Sequence, residues 1–402
     1  MRLKIAIRNV FRNKRRTALS IAMIAGGVSA MLVFNGFALS VLINLGTKTI
    51  QTQTGHLQIA TNVYWDKSAD RPKDTLIAGA KQLQNELHKH PKVAFASGRL
   101  SFFGLLTAGD RTLSARGVSF EPQVEGDLGA SFKFIDGRGF TKDELFHVAL
   151  GSGLATRLHA KSGDSLTLLS HTYDGVVNAI DVTVTGIFQV GIAEFDDNNF
   201  LIPLSAAQTL LDTENIEQMI VRLHNTSDTE EVRGEIQARL RGGATVKPWT
   251  EVAVLYQQIT KFNEVQNRIM AFIILSLILL GILNTIGMSV FERTGEIGTV
   301  AALGENSRTI LWQFLLEGGV LGLLGAISGM VLGTILIVVI NWLEIKVMMP
   351  GASTDIIIKI GFFFRAFLEA GFLAVASAIV ASFIPSWRAS QMNIAEALRR
   401  NI

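Results

Sequence analysis

Charge disappears from four stretches of the chain. Residues 17–47 run 31 positions without a charged side chain, residues 269–291 run 23, residues 318–343 run 26 and residues 370–387 run 18. A hydrocarbon core about 30 Å thick needs roughly 20 apolar helical residues. All four stretches qualify once the apolar flanks 309–316 and 360–364 join the third and fourth. The pattern predicts membrane spans at 17–45, 267–291, 310–342 and 362–384. The first and third are longer than a bilayer needs and are expected to tilt or to project beyond it. The basic flank before the first span also fits a secretory signal, but signal h-regions are only about 7–15 residues long. No small-x-small cleavage site follows, and Arg15-Arg16 lacks the surroundings of a twin-arginine signal, so a retained span is expected.

Between the first two spans the pattern changes to short alternating runs. Residues 55–59 alternate like a strand. Residues 75–90 carry Leu76, Ile77, Ala80, Leu83 and Leu87 at helical spacing, with Pro91 as the stop. Short β-like runs fill 93–118, around Gly98, Gly104 and the turn Ala108-Gly109-Asp110-Arg111. Val148-Ala149-Leu150-Gly151 predicts a strand that leads into a helix at 152–159, and Gly163-Asp164 a turn before a strand at 165–169. Residues 181–188 alternate again, and 205–211 and 230–240 read as helices. No low-complexity linker and no internal repeat interrupts this segment, so it is expected to be compact.

Charge sets the expected orientation. Lys plus Arg number 37 and Asp plus Glu 34, but residues 1–16 hold seven of the cations (Arg2, Lys4, Arg8, Arg12, Lys14, Arg15, Arg16) and no acid, leaving the remainder at −4. A basic segment next to the first span is expected to stay in the cytoplasm. The four spans then return the C-terminus, with Arg388, Arg399 and Arg400, to the same side. The expected organisation is a cytoplasmic basic amphipathic helix at 1–16, the first span at 17–45, an extracytoplasmic domain at 46–266 and the second span at 267–291. A cytoplasmic connection at 292–309, the third span at 310–342, a short outer loop at 343–361, the fourth span at 362–384 and a cytoplasmic tail at 385–402 follow. The fold class is therefore an α-helical membrane protein with four transmembrane helices, arranged one plus three, and a large α+β extracytoplasmic domain after the first. With 49% apolar and 18% charged residues, the composition excludes a disordered chain. The local basic excess argues against nucleic acid as a partner.

Catalytic chemistry is absent from the sequence. No cysteine is present, which excludes disulfides, thiolate metal sites and a cysteine nucleophile. There is no G-x-x-x-x-G-K-[ST] loop to cradle phosphates and no H-E-x-x-H. The seven histidines (56, 88, 90, 147, 159, 171, 224) show no ligand spacing, so no metal site is expected. Gly151-Ser152-Gly153 lacks the full G-x-S-x-G of a nucleophile elbow and reads as a strand-to-helix turn with Ser152 as N-cap. Asp196-Asp197 reads as a turn or loop.

Four features carry information instead. Gly318, Gly322, Gly325, Gly329 and Gly333 line the third span, and Ala370, Ala374, Ala378 and Ser382 line the fourth at a period of four. Small residues at that spacing let helices approach closely in lipid, within the chain or between chains. Arg365 and Glu369 can pair on one helix face near an interface. Glu317, about two turns into the third span, is a candidate for an interhelical or functional role, because charge inside a membrane is costly. In the connection 292–309, Ile297, Val300, Ala301 and Leu303 form a short apolar stripe flanked by Glu292, Arg293, Glu296 and Glu305. A helix of that kind docks in a partner's groove or lies on lipid. At 2–16, Leu3, Ile7, Val10 and Phe11 oppose the arginines, as expected of an interfacial helix on anionic lipid.

These residues carry a resemblance. The chain resembles permease subunits of the FtsX/MacB/LolC–LolE group of ABC transporters, closest in plan to the LolC/LolE lipoprotein-releasing permeases. The likeness covers nearly the whole chain. It includes the one-plus-three spans, the opening Ala6-Ile-Arg-Asn-Val-Phe-Arg-Asn-Lys-Arg-Arg16, and Glu292-Arg-Thr-Gly-Glu-Ile-Gly-Thr-Val-Ala-Ala-Leu-Gly304, which is similar to the group's R-x-x-E-I-G-x-x-x-A-L-G element. The tail Pro385-Ser-Trp-Arg-Ala-Ser-Gln-Met-Asn-Ile-Ala-Glu-Ala-Leu-Arg399 is similar to the group's ending, with Asn393-Ile394 where a proline is common. Residues 148–158, Gly163-Asp164 and Val184-Thr-Gly-Ile-Phe188 add to the likeness.

The resemblance implies mechanotransmission. Two permeases, alike or different, pair in a bacterial inner membrane, and two copies of a cytoplasmic ABC ATPase dock on their coupling helices. The residues implied here are Glu292, Arg293, Glu296, Ile297, Val300, Leu303 and Gly304. Closure of the ATPases then moves the external domains. ATP and magnesium would be held by the ATPase and none by this chain, which is expected not to be an enzyme itself. Only sixteen residues precede the first span, so the ATPase is expected as a separate chain. The implied role is extraction of a lipoprotein or amphipathic cargo from the outer leaflet, with a periplasmic carrier or adaptor as a further partner. The alternatives are FtsX-like activation of a cell-wall hydrolase and MacB-like efflux. An external segment of about 220 residues favours transport over the activator, whose domains are generally smaller.

Overall fold

The computed structural model describes residues 2–66, 72–125, 132–141, 144–240, 243–347, 353 and 356–392. Residues 393–402, which complete the tail element and include Arg399 and Arg400, lie outside the described residues, as do the side chains of Arg2 and Leu3.

The first helices, α1 (Arg2–Val10) and α2 (Lys14–Thr49), are separated by a break at 11–13, and α2 continues into a π-helical turn, Ile50–Thr54. Next come β1 (Leu57–Thr61), α3 (Asn62–Asp66), α4 (Ala80–His88), β2 (Val93–Arg99), β3 (Ser101–Ala108), β4 (Arg111–Phe120), α5 (Pro122–Glu125), β5 (Lys133–Gly137), β6 (His147–Gly151) and α6 (Ser152–Leu158). After them run β7 (Ser165–His171), β8 (Val177–Gln189), α7 (Ala193–Asn198), β9 (Asn199–Pro203), α8 (Leu204–Leu211), β10 (Gln218–Leu223), α9 (Thr229–Arg239), β11 (Ala244–Pro248) and α10 (Trp249–Val252). The order closes with α11 (Val254–Glu292), α12 (Thr294–Ala302), α13 (Ser307–Trp342) and α14 (Phe364–Ser390). The chain divides into a helical unit (Met1–Leu42, Ile259–Lys346, Ile357–Ile402) and an α+β unit (Ile43–Gln258, Val347–Ile356).

Among the described residues, four helices are long and apolar enough to cross a membrane: α2 with its extension, α11, α13 and α14. Their outward faces carry exposed Phe272, Leu277, Val331 and Phe372, which suits contact with lipid. The small-residue stripes face inward, within the chain. Gly318 lies against Ser382 and Gly322 against Ala378 of α14, whereas Gly325, Gly329 and Gly333 lie against Ile24, Val28 and Leu32 of α2. A β-carbon at Gly329 would sit 2.6 Å from the Val28 β-carbon and 2.9 Å from the Ala25 carbonyl. Ala370, Ala374 and Ala378 are fully buried on α14. This helix runs on through Pro385 to Ser390. In lipid there is no hydrophobic drive between helices, so this close approach supplies the packing.

The α+β unit holds two sheets. The smaller is fully antiparallel, in the order β11-β1-β10-β2, and buries Leu57, Ile59, Met219 and Val221 with Leu87 of α4 and Val232 and Ile236 of α9. The larger runs β5-β8-β6-β9-β4-β3-β7 and closes on itself, because the long strand β8 pairs β7 through its first half and β6 and β5 through its second. Closure leaves β7 without a free edge. Leu106, Leu150, Leu166, Leu168 and Phe200 fill the interior together with α6 and α8, and Phe102 meets Phe200 edge-on at 5.8 Å.

Several local expectations are corrected. The helix expected at 75–90 shrinks to α4, because Gly79 is left-handed and Ile77 instead bridges to Ile216 in an isolated β-bridge. Ser152 is the first residue of α6 and does not cap it; Gly151 holds that place. Gly151 and Gly153 let the chain pass directly against Asp196 and Asp197. Those two acids lie in α7 rather than in a loop, and the buried Asp196 accepts from the backbone N–H groups of Val190 and Gly191 at 2.9 and 3.1 Å.

Two outcomes test this packing. Gly329→Leu is expected to destabilise the detergent-purified chain by about 1–3 kcal/mol through overpacking, whereas Gly319→Ala, whose β-carbon would meet Ile379 at an ordinary 3.7 Å, should leave the melting temperature unchanged. The second concerns His56. Its Nδ1 accepts from the Leu223 N–H at 3.0 Å, so Nε2 carries the proton and faces Thr226 Oγ1 at 3.1 Å. Burial, aided by Arg222, lowers its pKa from 6.5 to about 4. The native state thus keeps the ring neutral, and its contribution to stability is complete above pH 6.5 and lost as pH falls through about 4. Melting curves from pH 7 down to 4 should fall more steeply for the native chain than for His56→Gln.

Candidate functional site

The connection between α11 and α13 is a built elbow. α11 ends at Glu292, and Arg293 takes a non-helical conformation before α12 begins. Thr294 Oγ1 donates back to the carbonyls of Val290 and Phe291. At the other end Gly304 is left-handed (φ 91°); its N–H bonds to the Ala301 carbonyl, and the Glu305 N–H to that of Val300. This is a Schellman stop, which needs glycine at that position. Asn306 then caps α13 through the Arg308 N–H at 3.1 Å. The glycine that closes the Glu292–Gly304 element therefore ends the helix with a defined geometry.

The apolar stripe read from the sequence splits in two. Ile297 is buried with Gly295 and Gly298 against the bundle, while Val300 is exposed and Leu303, just past the helix, is 83% exposed. Val300 and Leu303 form the free apolar tip of the elbow, with Glu296 and Glu305 also exposed.

Glu317, 3% exposed on α13, is paired. Arg293 Nη1 donates to its Oε1 at 2.8 Å and Asn9 Nδ2 to the same atom at 2.7 Å. The Arg293 guanidinium also reaches Glu296 at 3.1 Å and stacks over the Phe314 ring at 5.3 Å. A buried acid in an apolar bundle is tolerable only with such a partner.

Sequence reading did not connect the N-terminal segment with this elbow. Arg12 bonds Glu296 at 2.8 Å, Asn13 bonds Glu292 at 2.9 Å, and Arg16 makes a two-armed pair with Glu292. The hydrogen bond between Arg12 and Glu296 raises the guanidinium pKa and lowers that of the carboxyl. The signal was a matched period: Arg12 and Arg16 are four apart, and so are Glu292 and Glu296. Nearly 280 intervening residues hid it. The helix expected over 1–16 is two helices for the same reason, since the break at 11–13 turns these donors toward the elbow. A polar cavity of about 360 Å³ lies at the junction, walled by Asn9, Arg16, Ser289, Glu292 and Glu317. Arg365 and Glu369 pair separately at 2.7 Å on α14, with Arg365 fully open. Among the described residues no group of His, Asp and Glu could hold a metal ion.

Residues 17–239 match the family model of the MacB-like periplasmic core domain, and residues 268–394 that of the FtsX-like permease C-terminal domain. The lipoprotein-releasing system transmembrane protein LolC of Xylella fastidiosa is 26% identical over 275 residues, 63% of this chain. The match spans 65% of that relative, just under two thirds of its length. The LolE protein of the same system from Haemophilus influenzae is 25% identical over 413 residues, 95% of this chain and 92% of its own. The macrolide export ATP-binding/permease protein MacB of Chlorobium luteolum is 24% identical over 98% of this chain and 59% of its own length.

The pairs differ in burial, and so should their worth. Removing the guanidinium with Arg293→Ala takes the charge partner from buried Glu317 and leaves it the neutral Asn9 amide, and is expected to destabilise the purified chain by about 3–5 kcal/mol. Arg12→Ala, which breaks a pair exposed on both sides, should shift stability by less than about 1 kcal/mol. Equal melting shifts for the two variants would contradict this ranking.

Proposed function

The chain belongs to the ABC-transporter permease family that joins a MacB-like periplasmic core domain to an FtsX-like permease domain, and from that membership we propose that it passes ATPase motion to its periplasmic domain in order to extract a lipoprotein or amphipathic cargo from the outer leaflet of the inner membrane. The observation that carries this reading is the elbow. Its free tip, Val300 and Leu303, is a small apolar knob on a rigid helix, and its base is anchored by buried Ile297 and the Arg293–Glu317 pair. Such a knob seats in a partner's groove. The partner is a cytoplasmic ABC ATPase, present in two copies on a pair of permeases. The termini and the elbow lie on the cytoplasmic side, as the basic segment before α2 directs.

The lipoprotein-release reading leans on the LolE likeness, which spans nearly the full length of both chains. Macrolide-type efflux is the second reading, favoured by the MacB likeness over 98% of this chain. In both, the chemistry of ATP stays on the ATPase, and this chain supplies shape and stiffness.

A tagged pull-down from native membranes, trapped with a non-hydrolysable ATP analogue, separates the readings. An ABC ATPase with lipoproteins supports extraction, and the same ATPase with an outer-membrane efflux partner supports efflux. A cell-wall hydrolase in their place would point to the activator role. Leu303→Asp is expected to abolish ATPase capture while the melting temperature holds, because this side chain touches solvent. Undiminished capture would remove the tip from the contact.

A further inference from the structure

We propose that the junction of α1 and α2 is a clamp that ties the elbow to the first membrane helix, so that displacement of α12 reaches α2 directly and not through α11 alone. The inference rests on the elbow being the ATPase contact. The covalent chain joins the elbow to α11 and α13 and leaves α2 unconnected. Packing on Gly325, Gly329 and Gly333 joins α2 to α13 deeper in the bundle, and side-chain bonds add a link at the elbow itself. Asn9, Arg12, Asn13 and Arg16, all donors on one short segment, reach Glu317, Glu296 and Glu292, all acceptors on the elbow and on α13.

The segment that carries the donors is itself stiff. Ala6 and Val10 are buried as α1 packs along α13, and the Thr17 hydroxyl of α2 donates to the Val10 carbonyl across the break. One turn further, Ser20 of α2 and Thr285 of α11 share a buried hydrogen bond of 2.6 Å. A push on the elbow therefore meets α2 through charge-assisted bonds with little slack between them. The links are graded. The Glu317 bond is shielded, the Arg16–Glu292 pair is partly so, and the Arg12–Glu296 pair is open to water. The shielded members set the geometry, and the open one adds little at physiological salt.

From its first turn α2 runs unbroken to Thr49 and then through the π-helical turn to Thr54. The far end of α2 is therefore where the clamp's effect should register. The test uses the complex purified from native membranes and compares hydrogen exchange at residues 43–54 with and without a non-hydrolysable ATP analogue. For the unaltered chain, the nucleotide should change exchange there. Arg16→Glu, and Asn9→Ala combined with Arg16→Glu, are each expected to keep the ATPase bound and to lose that change, whereas Arg16→Lys should keep it by retaining a cation opposite Glu292. Arg16→Glu, alone or with Asn9→Ala, keeping the full nucleotide response with the ATPase bound would overturn the clamp. So would an Arg16→Lys chain that holds the ATPase but stays silent. If the unaltered chain captures no ATPase, both the clamp and the function it rests on fall, which is a distinct outcome from either.

Discussion

In a bilayer, helices gain nothing by hiding apolar surface from one another, so a bundle is held by how closely its backbones can approach. The glycine stripe of α13 meets that constraint in this chain. Its first two members admit α14, and the next three admit Ile24, Val28 and Leu32 of α2, which recur every four residues and drop into the gaps. One helix thereby organises two neighbours, and the remaining features of the bundle are arranged around it.

Glu317 stands one residue before that stripe. A carboxylate there is buried, and the protein answers with Arg293 from the elbow and Asn9 from the first helix. The buried charge converts an electrostatic liability into a join, because its two partners come from α1 and from the elbow. The same logic leaves the tip of α12 bare. Ile297 is committed to the bundle, while Val300 and Leu303 are exposed among the described residues. An apolar tip on a charge-pinned base suits a surface that receives force and must not yield.

The α+β unit solves a different problem. A sheet of seven strands would present long edges, and the length of β8 allows it to pair on both sides and close the ring. Its interior is then filled by alternate residues, and buried Asp196 holds the turn after β8 through two backbone donors. His56 plays the corresponding part beside the smaller sheet, where burial keeps its ring neutral.

How much of this the sequence carried depended on the range of each interaction. The four apolar stretches, the alternation of β7 and β8, and the small-residue periods of α13 and α14 are local patterns, and each is legible because burial of one face dictates its own period. The charged elbow was visible as a motif in neighbouring residues, whereas the role of its Gly304 as a helix stop came from the structure. What faces what was not local. The sequence left open whether the glycines met a helix of the same chain, and it assigned Arg12 and Arg16 to lipid because their acids lie some 280 residues away. Nor could it divide the stripe Ile297–Leu303, since only the packed bundle determines which side of a nine-residue helix is covered. The sequence determined the elements and the membrane character, because those follow from the free energy of transferring each segment. Tertiary structure alone decided the partners of Glu317, the closure of the large sheet and the free tip of the elbow, because each depends on residues that only folding brings together.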